Sequence, residues 1–187
     1  HEFDLKLICE YFSSMERQGP GSPEITVKAL SFIDNLTNES KIADIGCGTG
    51  LVAGHLVGDS FANVVGLDFS PEMLAEADQK DIYRFLIEAD LEEKLLIEDA
   101  TYAGAISCGT FTHGHVGPSA FREIFRVLEQ GAPFACTIHS QLWTSAGFDQ
   151  ALAILENERV MSIETISDES YFEGESADGK FCIFRKI

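Results

Sequence analysis

Five short apolar runs separated by helix-forming segments constrain the fold of this 187-residue chain more than any other feature. Apolar and polar residues do not alternate within these runs, which is typical of parallel strands that helices cover on both faces. The predicted strands are 41–45, 63–67, 83–88, 103–107 and 133–139. The predicted helices lie near 50–57, 71–79, 119–129 and 147–157. The sequence therefore predicts an α/β fold built on a mostly parallel sheet.

The carboxyl-terminal part of the chain has a different pattern. Residues 161–174 and 180–187 form two strand-like runs around the glycine-containing segment ESADG. Such a pattern predicts two antiparallel strands joined by a tight hairpin. With the five parallel strands, this hairpin brings the predicted sheet to seven strands.

Helical spacing also precedes the first strand. Apolar residues recur at helical intervals in 4–17 and in 22–36, and Ser22 followed by Pro23 is a typical helix start. We therefore expect one domain at 41–187, with a helical segment at 1–40 that belongs to the same domain.

Three glycines at alternate positions follow the first predicted strand: Gly46, Gly48 and Gly50. A glycine-rich turn between a strand and a helix lets backbone N–H groups approach a ligand closely. Dinucleotide-binding proteins use a GxGxxG pattern, and here Leu51 occupies the position of the third glycine. The glycines alone therefore leave the class of ligand open.

Polar residues lie at the ends of all four strands that come first along the chain. Asp44 precedes the glycine turn, Asp68 ends the second strand, and Asp90 follows the third. The fourth predicted strand ends at Ser107, Cys108 and Gly109. Because open α/β sheets bind ligands at the carboxyl ends of their strands, we expect these residues to line one site.

The combined motifs resemble those of the class I S-adenosylmethionine-dependent methyltransferases. The segments ADIGCGTG, GLDFSPEML and EADLEE are similar to three motifs of that family, and FREIFRVLEQGAPFACTIH is similar to its stretch through the fifth strand. Residues 41–187 resemble the Williams–Beuren region methyltransferase-like family, and residues 1–50 a group of bacterial small-molecule methyltransferases. The resemblance implies a Rossmann-like sheet with an antiparallel carboxyl-terminal hairpin.

The resemblance assigns the methionine and ribose parts of the cofactor to the first two strand ends. Asp44 would lie near the methionine ammonium, and Gly46, Cys47 and Gly48 would contact the cofactor through their backbones. Asp68 would accept hydrogen bonds from the ribose hydroxyls. A purely structural alternative for Asp44 is a cap on the turn.

The resemblance assigns the adenine to the next residues along the edge. Phe69 and Met73 would cover the ring, Asp90 would accept from its exocyclic amine, and the Leu91 N–H would donate to a ring nitrogen. Cys108 and Gly109 would flank the cofactor sulfur through their backbone groups. The alternatives are helix packing for Phe69 and Met73, and a helix cap for Asp90.

Candidate catalytic residues follow the fourth strand. His113 and His115 could act as general base or orient the methyl acceptor. His139 and Trp143 could form a wall of the acceptor pocket, or Trp143 could simply anchor a loop. The spacing of the five histidines does not suggest a metal site.

The segment before the first strand is the only part left to cover the cofactor. The stretch RQGPGS is short and rich in glycine, and its Arg17 and Gln18 could reach the methionine carboxylate. We therefore expect residues 1–22 to form a lid that orders around the ligand. The alternative is a fixed helix followed by a passive connector.

The charge of −18 argues against nucleic acid and anionic membrane as partners. It serves either solubility or the attraction of a cationic acceptor. Five widely spaced cysteines argue for reduced thiols in a cytoplasmic protein. No apolar run in the sequence is long enough to span a membrane.

The sequence favours an S-adenosylmethionine-dependent methyltransferase that acts on a small or medium-sized acceptor by in-line displacement. A nicotinamide-dependent oxidoreductase is one alternative, although Leu51 and the terminal hairpin weigh against it. A domain that binds the cofactor without catalysis is another.

Overall fold

The strands of the sheet follow the apolar runs of the sequence. The computed structural model describes residues 36–58, 61–112, 116–170 and 178–187. Its strands are β1 (Ile42–Ile45), β2 (Val64–Asp68), β3 (Phe85–Glu88), β4 (Gly104–Phe111), β5 (Pro133–His139), β6 (Met161–Glu169) and β7 (Gly179–Lys186). The described helices are α1 (Leu51–Gly58), α2 (Pro71–Asp78), α3 (Ala120–Val127), α4 (Ser140–Ser145) and α5 (Phe148–Asn157).

The seven strands form one sheet in the order β3-β2-β1-β4-β5-β7-β6. Strands β1 to β5 pair in parallel, whereas β7 pairs antiparallel with both β5 and β6. The predicted seven-stranded, mostly parallel sheet with an antiparallel end is therefore confirmed. Because β1 lies between β2 and β4, the strand order changes direction there, and such a switch point opens a crevice for a ligand.

Helices pack on both faces of the sheet, as the unbroken apolar strands predict. On one face, α1 covers Ile42, Val64 and Ile106 with Val52, Ala53 and Leu56. On the other, α3 and α5 cover a cluster of phenylalanines whose neighbouring ring centroids lie 4.9–6.3 Å apart. The cluster consists of Phe111, Phe121, Phe125, Phe134, Phe148 and Phe184. Each fully buried phenylalanine contributes roughly 1.5–3 kcal/mol of hydrophobic stabilisation, so this cluster anchors the sheet.

The predicted start of α2 is confirmed by its capping contacts. The Ser70 hydroxyl accepts a 3.2 Å hydrogen bond from the Met73 N–H, and Pro71 occupies the first turn. A serine cap with proline behind it satisfies an end N–H and fixes φ for the helix. This cap begins α2 directly beyond the end of β2.

The predicted end of the fourth strand at 107 is wrong. Strand β4 runs to Phe111, and its register with β5 shifts between Ser107 and Phe111. The small and polar residues between them break the apolar run, but the strand resumes because Phe111 is buried against Phe121. Cys108 therefore lies within β4 rather than at its end.

Other element bounds differ by less, and some predicted elements lie outside the described residues. Strand β3 begins at Phe85 instead of residue 83. Helix α4 was not predicted, because six residues are too few for an apolar period to stand out. The predicted helices at 4–17 and 22–36, the Ser22 cap and the tight hairpin fall wholly or mainly on residues 1–35 and 171–177, outside the described part.

Candidate active site

The three glycines after β1 all have left-handed backbone angles. Their φ values are +65° at Gly46, +53° at Gly48 and +86° at Gly50. A side chain would be strained at each position. A Cβ on Gly46 would also lie 2.1 Å from the Thr110 Oγ1, so the loop passes directly against β4. The glycines therefore serve both the turn and its close packing.

Asp68, at the end of β2, binds the glycine loop through its carboxylate. Oδ2 accepts a hydrogen bond of 2.8 Å from the Gly48 N–H, and Oδ1 accepts one of 2.9 Å from the Ser70 N–H. Each carboxylate oxygen can accept about two hydrogen bonds, so one position on each remains. Two further donors, such as the two hydroxyls of a ribose, match this capacity.

Asp44 lies beneath the same loop and is 1% exposed. Its Oδ2 accepts a 2.8 Å hydrogen bond from the Tyr83 hydroxyl, while its buried Oδ1 has no hydrogen-bond partner among the described residues. Burial, together with the negative charge of Asp68, raises the pKa of Asp44 from 3.8 to about 7. The Tyr83 hydroxyl and the Ala53 backbone N–H of α1 offset part of this shift. A buried carboxylate oxygen without a donor suits a cationic ligand group.

Tyr83 is the site residue that sequence reasoning missed. Its ring lies between two glycines: a Cβ on Gly50 would be 2.9 Å from the ring, and one on Gly66 would be 3.0 Å from it. Burial raises the Tyr83 pKa, so the phenol stays protonated and donates to Asp44. The signal was Gly66, because a glycine inside a strand often marks a close approach by another group.

Cys47 turns its thiol into the same buried space. Its Sγ would lie 2.9 Å from a Cβ on Gly66, and burial raises the pKa of the thiol. The thiol therefore stays protonated and acts as a small apolar group. The Cys47 backbone holds the loop in place, since its N–H donates to the Leu67 carbonyl oxygen at 3.0 Å and its carbonyl oxygen accepts from the Gly50 N–H at 2.9 Å.

The residues assigned to the adenine lie along the ends of β2 and β3. Phe69 follows β2 directly and is 70% exposed, and Met73, in the first turn of α2, is half-buried. Asp90 is exposed and its Oδ1 accepts a 2.9 Å hydrogen bond from the Glu92 N–H, which makes a local turn. Residues 91–96, directly after Asp90, form turns and bends rather than a helix, so the alternative of a helix cap is wrong. The Leu91 side chain is buried in the core.

The bulged part of β4 packs beside the glycine loop. The hydroxyls of Ser107 and Thr110 lie 2.8 and 3.1 Å from the Ile45 carbonyl oxygen. The Gly109 N–H donates to the Thr137 hydroxyl of β5 at 3.0 Å. Cys108, between these anchors, is half-buried. These contacts fix the ends of β1, β4 and β5 relative to one another.

The histidines assigned to catalysis, His113 and His115, lie outside the described residues. His139 caps α4, because its Nδ1 accepts a hydrogen bond of 3.2 Å from the Gln141 N–H. Trp143 packs partly on the core, and the Lys180 ammonium lies 5.6 Å from the centre of its ring. Both residues therefore have structural contacts that account for their positions.

The described residues contain no group of histidine, cysteine, aspartate and glutamate side chains arranged to hold a metal ion. In the same residues, no helix has the length and apolar character needed to cross a membrane.

The side chains at this edge fit S-adenosylmethionine. The unpartnered Oδ1 of Asp44 suits the ammonium, the remaining acceptor positions of Asp68 suit the ribose, and the exposed Phe69 ring suits the adenine. The acidic side chains also suit the positive charge of the sulfonium.

The sequence and the fold of this chain are both similar to those of known methyltransferases. The sequence model of the methyltransferase domain family matches residues 43–136. Methyltransferase-like protein 27 of Homo sapiens is 30% identical over 105 residues, which cover 55% of this chain and 43% of that protein. The chain therefore spans less than half the length of that curated relative.

Solved structures share the fold at lower identity. An S-adenosylmethionine-dependent methyltransferase from Aquifex aeolicus is 17% identical and aligns over 100% of both chains with a TM-score of 0.69. The cyclase SpnF is 16% identical and aligns over 97% of this chain and 93% of its own, with a TM-score of 0.74. These likenesses show the fold, whereas the family match rests on the sequence. The chain belongs to the methyltransferase domain family and its cofactor is S-adenosylmethionine.

Proposed function

We propose that this chain transfers the methyl group of S-adenosylmethionine to a small or medium-sized acceptor by in-line displacement. The observation that carries the proposal is the junction of the glycine loop with Asp68, where both carboxylate oxygens keep one acceptor position. That junction lies where the strand order reverses, which is where open α/β sheets bind their ligands.

Residues at the first two strand ends hold the methionine and ribose parts. Asp68 accepts from the two ribose hydroxyls, and its bond to the Gly48 N–H keeps the carboxylate oriented. Asp44 binds the ammonium through Oδ1, and the backbones of Gly46, Cys47 and Gly48 contact the cofactor. Charge-assisted hydrogen bonds of this kind are about twice as strong as neutral ones.

Residues at the next strand ends hold the adenine and the sulfur. Phe69 packs on one face of the ring, and Met73 covers part of it. Asp90 accepts from the exocyclic amine, and the Leu91 N–H donates to a ring nitrogen. Cys108 flanks the sulfur from β4.

The cofactor supplies a methyl group that its sulfonium already activates. The protein therefore contributes alignment of the acceptor and exclusion of water. His113 and His115 orient the acceptor, or take its proton where the acceptor is protonated at neutral pH. Residues 1–22 close over the site as a lid, with Arg17 and Gln18 near the methionine carboxylate.

The acceptor is neutral or cationic, because the net charge of −18 repels anions. The same charge argues against nucleic acid as a substrate. We place the reaction in the cytoplasm, where the cysteines stay reduced.

Calorimetric titration and turnover together test the proposal. We expect S-adenosylmethionine to bind and NADH not to bind, since the family match gives no support to a nicotinamide enzyme. A panel of cationic, neutral and anionic acceptors should then give S-adenosylhomocysteine with members of the first two groups. Binding without turnover on any acceptor would favour the domain without catalysis.

A further inference from the structure

The Tyr83 ring packs where two glycines have no side chain. Glycines lie on two sides of its ring, at Gly50 and Gly66, and a Cβ at either position would lie 3.0 Å or less from a ring carbon. The hydroxyl reaches Oδ2 of Asp44 at 2.8 Å, across 39 residues of sequence. The segment before β3 is thereby joined to β1, close to the point where the glycine loop begins.

The surroundings of Asp44 make this contact important for its orientation. Tyr83 faces it from the segment before β3, Asp68 from β2, Cys47 from the loop and the Ala53 N–H from α1. Among these, the Tyr83 hydroxyl is the side-chain donor to the carboxylate. Removing the hydroxyl would leave both carboxylate oxygens without a side-chain donor in the described surroundings.

We propose that Tyr83 is a positioning residue for cofactor binding, which holds Oδ2 of Asp44 so that Oδ1 and the negative charge are directed to the methionine ammonium. This inference rests on the proposed function, because it requires S-adenosylmethionine at the edge of the sheet. Tyr83 lies before β3, outside the glycine loop and the strand ends that the sequence assigns to the cofactor.

The role of Tyr83 has a pH signature. Binding of the ammonium needs Asp44 charged, and its raised pKa of about 7 means that acid protonates it in the free protein. Affinity for S-adenosylhomocysteine should therefore fall roughly tenfold from pH 7.5 to pH 6. The Tyr83 hydroxyl stabilises the charged form, so its loss moves this fall to higher pH.

The test compares Tyr83→Phe with the wild-type protein by calorimetry at several pH values. For a pKa about one unit higher, S-adenosylhomocysteine should bind the variant about threefold more weakly at pH 7.5 and about tenfold at pH 6. The second probe, 5′-methylthioadenosine, lacks the ammonium and should bind both proteins alike at every pH. Tyr102→Phe, in the core cluster on the other face, is the matched control.

The outcomes distinguish a failure of the Tyr83 role from a failure of the proposed function. A loss of affinity in Tyr83→Phe that extends equally to 5′-methylthioadenosine would overturn the positioning role and leave a purely structural one. Equal binding of S-adenosylhomocysteine by both proteins would also overturn it. Failure of the wild-type protein to bind either probe would contradict the proposed function itself. Normal binding of 5′-methylthioadenosine by Tyr83→Phe shows that the variant is folded.

Discussion

Oδ2 of Asp68 accepts a 2.8 Å hydrogen bond from the backbone N–H of Gly48, 20 residues earlier in the chain. This bond joins the end of β2 to the loop that leaves β1. The same carboxylate binds the Ser70 N–H through Oδ1, so it also fixes the start of α2. One side chain therefore organises the three backbone segments around the proposed ribose position.

Replacement of Asp68 by alanine should weaken cofactor binding while the fold survives. The change removes two proposed charge-assisted hydrogen bonds, each worth about 1.5–3 kcal/mol. The dissociation constant for S-adenosylhomocysteine, measured by calorimetry, should rise at least about tenfold. Asp78→Ala removes the same charge from the exposed end of α2 and should leave the constant unchanged. An unaltered constant in Asp68→Ala would contradict the ribose assignment.

Replacement of Asp44 by asparagine should stabilise the protein at alkaline pH. The folded state holds a proton on Asp44 between its ordinary pKa of 3.8 and about 7, whereas the unfolded chain releases it. The free energy of unfolding of the wild-type protein therefore falls as pH rises through that range. Asparagine carries no charge, yet its oxygen can still accept from Tyr83.

The size of the Asp44→Asn effect follows from the same shift. Denaturant unfolding near pH 8 should show a gain on the order of 4 kcal/mol, which falls to about 1 kcal/mol at pH 4.5 and approaches zero only below pH 3.8. Asp78→Asn serves as the control for net charge. The stabilised variant should also bind S-adenosylhomocysteine more weakly, since it cannot pair with the ammonium. If the free energy of unfolding of Asp44→Asn rises equally at every pH, the buried charge of Asp44 is not the cause of the increase.

Patterns that repeat along the chain made most of the fold predictable. The unbroken apolar runs located the five parallel strands, because a strand buried on both faces, as β1 is, needs apolar residues at each position. The two antiparallel strands followed from the hairpin pattern near the carboxyl end. The position of Asp68 was predictable for a related reason, since it comes directly after such a run.

Contacts between distant residues were not predictable in the same way. The bulge in β4 depends on Phe111 reaching the phenylalanine cluster, and the position of Tyr83 depends on Asp44 and two glycines from other elements. The spacing of apolar residues along the chain does not indicate contacts between residues that are far apart in sequence. The sequence predicts Tyr83 only as the first residue of a strand, whereas in the structure its hydroxyl binds Asp44.

Alanine at Gly50 and at Gly54 should have opposite effects on stability. Gly50 has φ of +86°, and a Cβ there would lie 2.9 Å from the Tyr83 ring. Gly54 lies inside α1 with nothing within 4 Å of the added Cβ. Strain of about 1–2 kcal/mol plus the contact should destabilise Gly50→Ala, whereas Gly54→Ala should gain about 0.5–1 kcal/mol. Urea unfolding of both variants measures the difference. Equal effects would mean that the loop adopts another conformation.

Replacement of Phe69 by alanine should weaken cofactor binding with little effect on stability. Phe69 is 70% exposed and follows Asp68 directly. Its ring therefore contributes little to the stability of the protein without ligand, and it is available to the adenine. Loss of a stacking contact of about 1 kcal/mol should raise the dissociation constant for S-adenosylhomocysteine roughly threefold to tenfold. Phe85→Ala is the matched control, because that ring is 58% exposed on the edge strand β3 and is not assigned to the cofactor. The melting temperature of both variants should stay within a few degrees of the wild-type value. A similar loss of affinity in both variants, or none in either, would remove Phe69 from the adenine site.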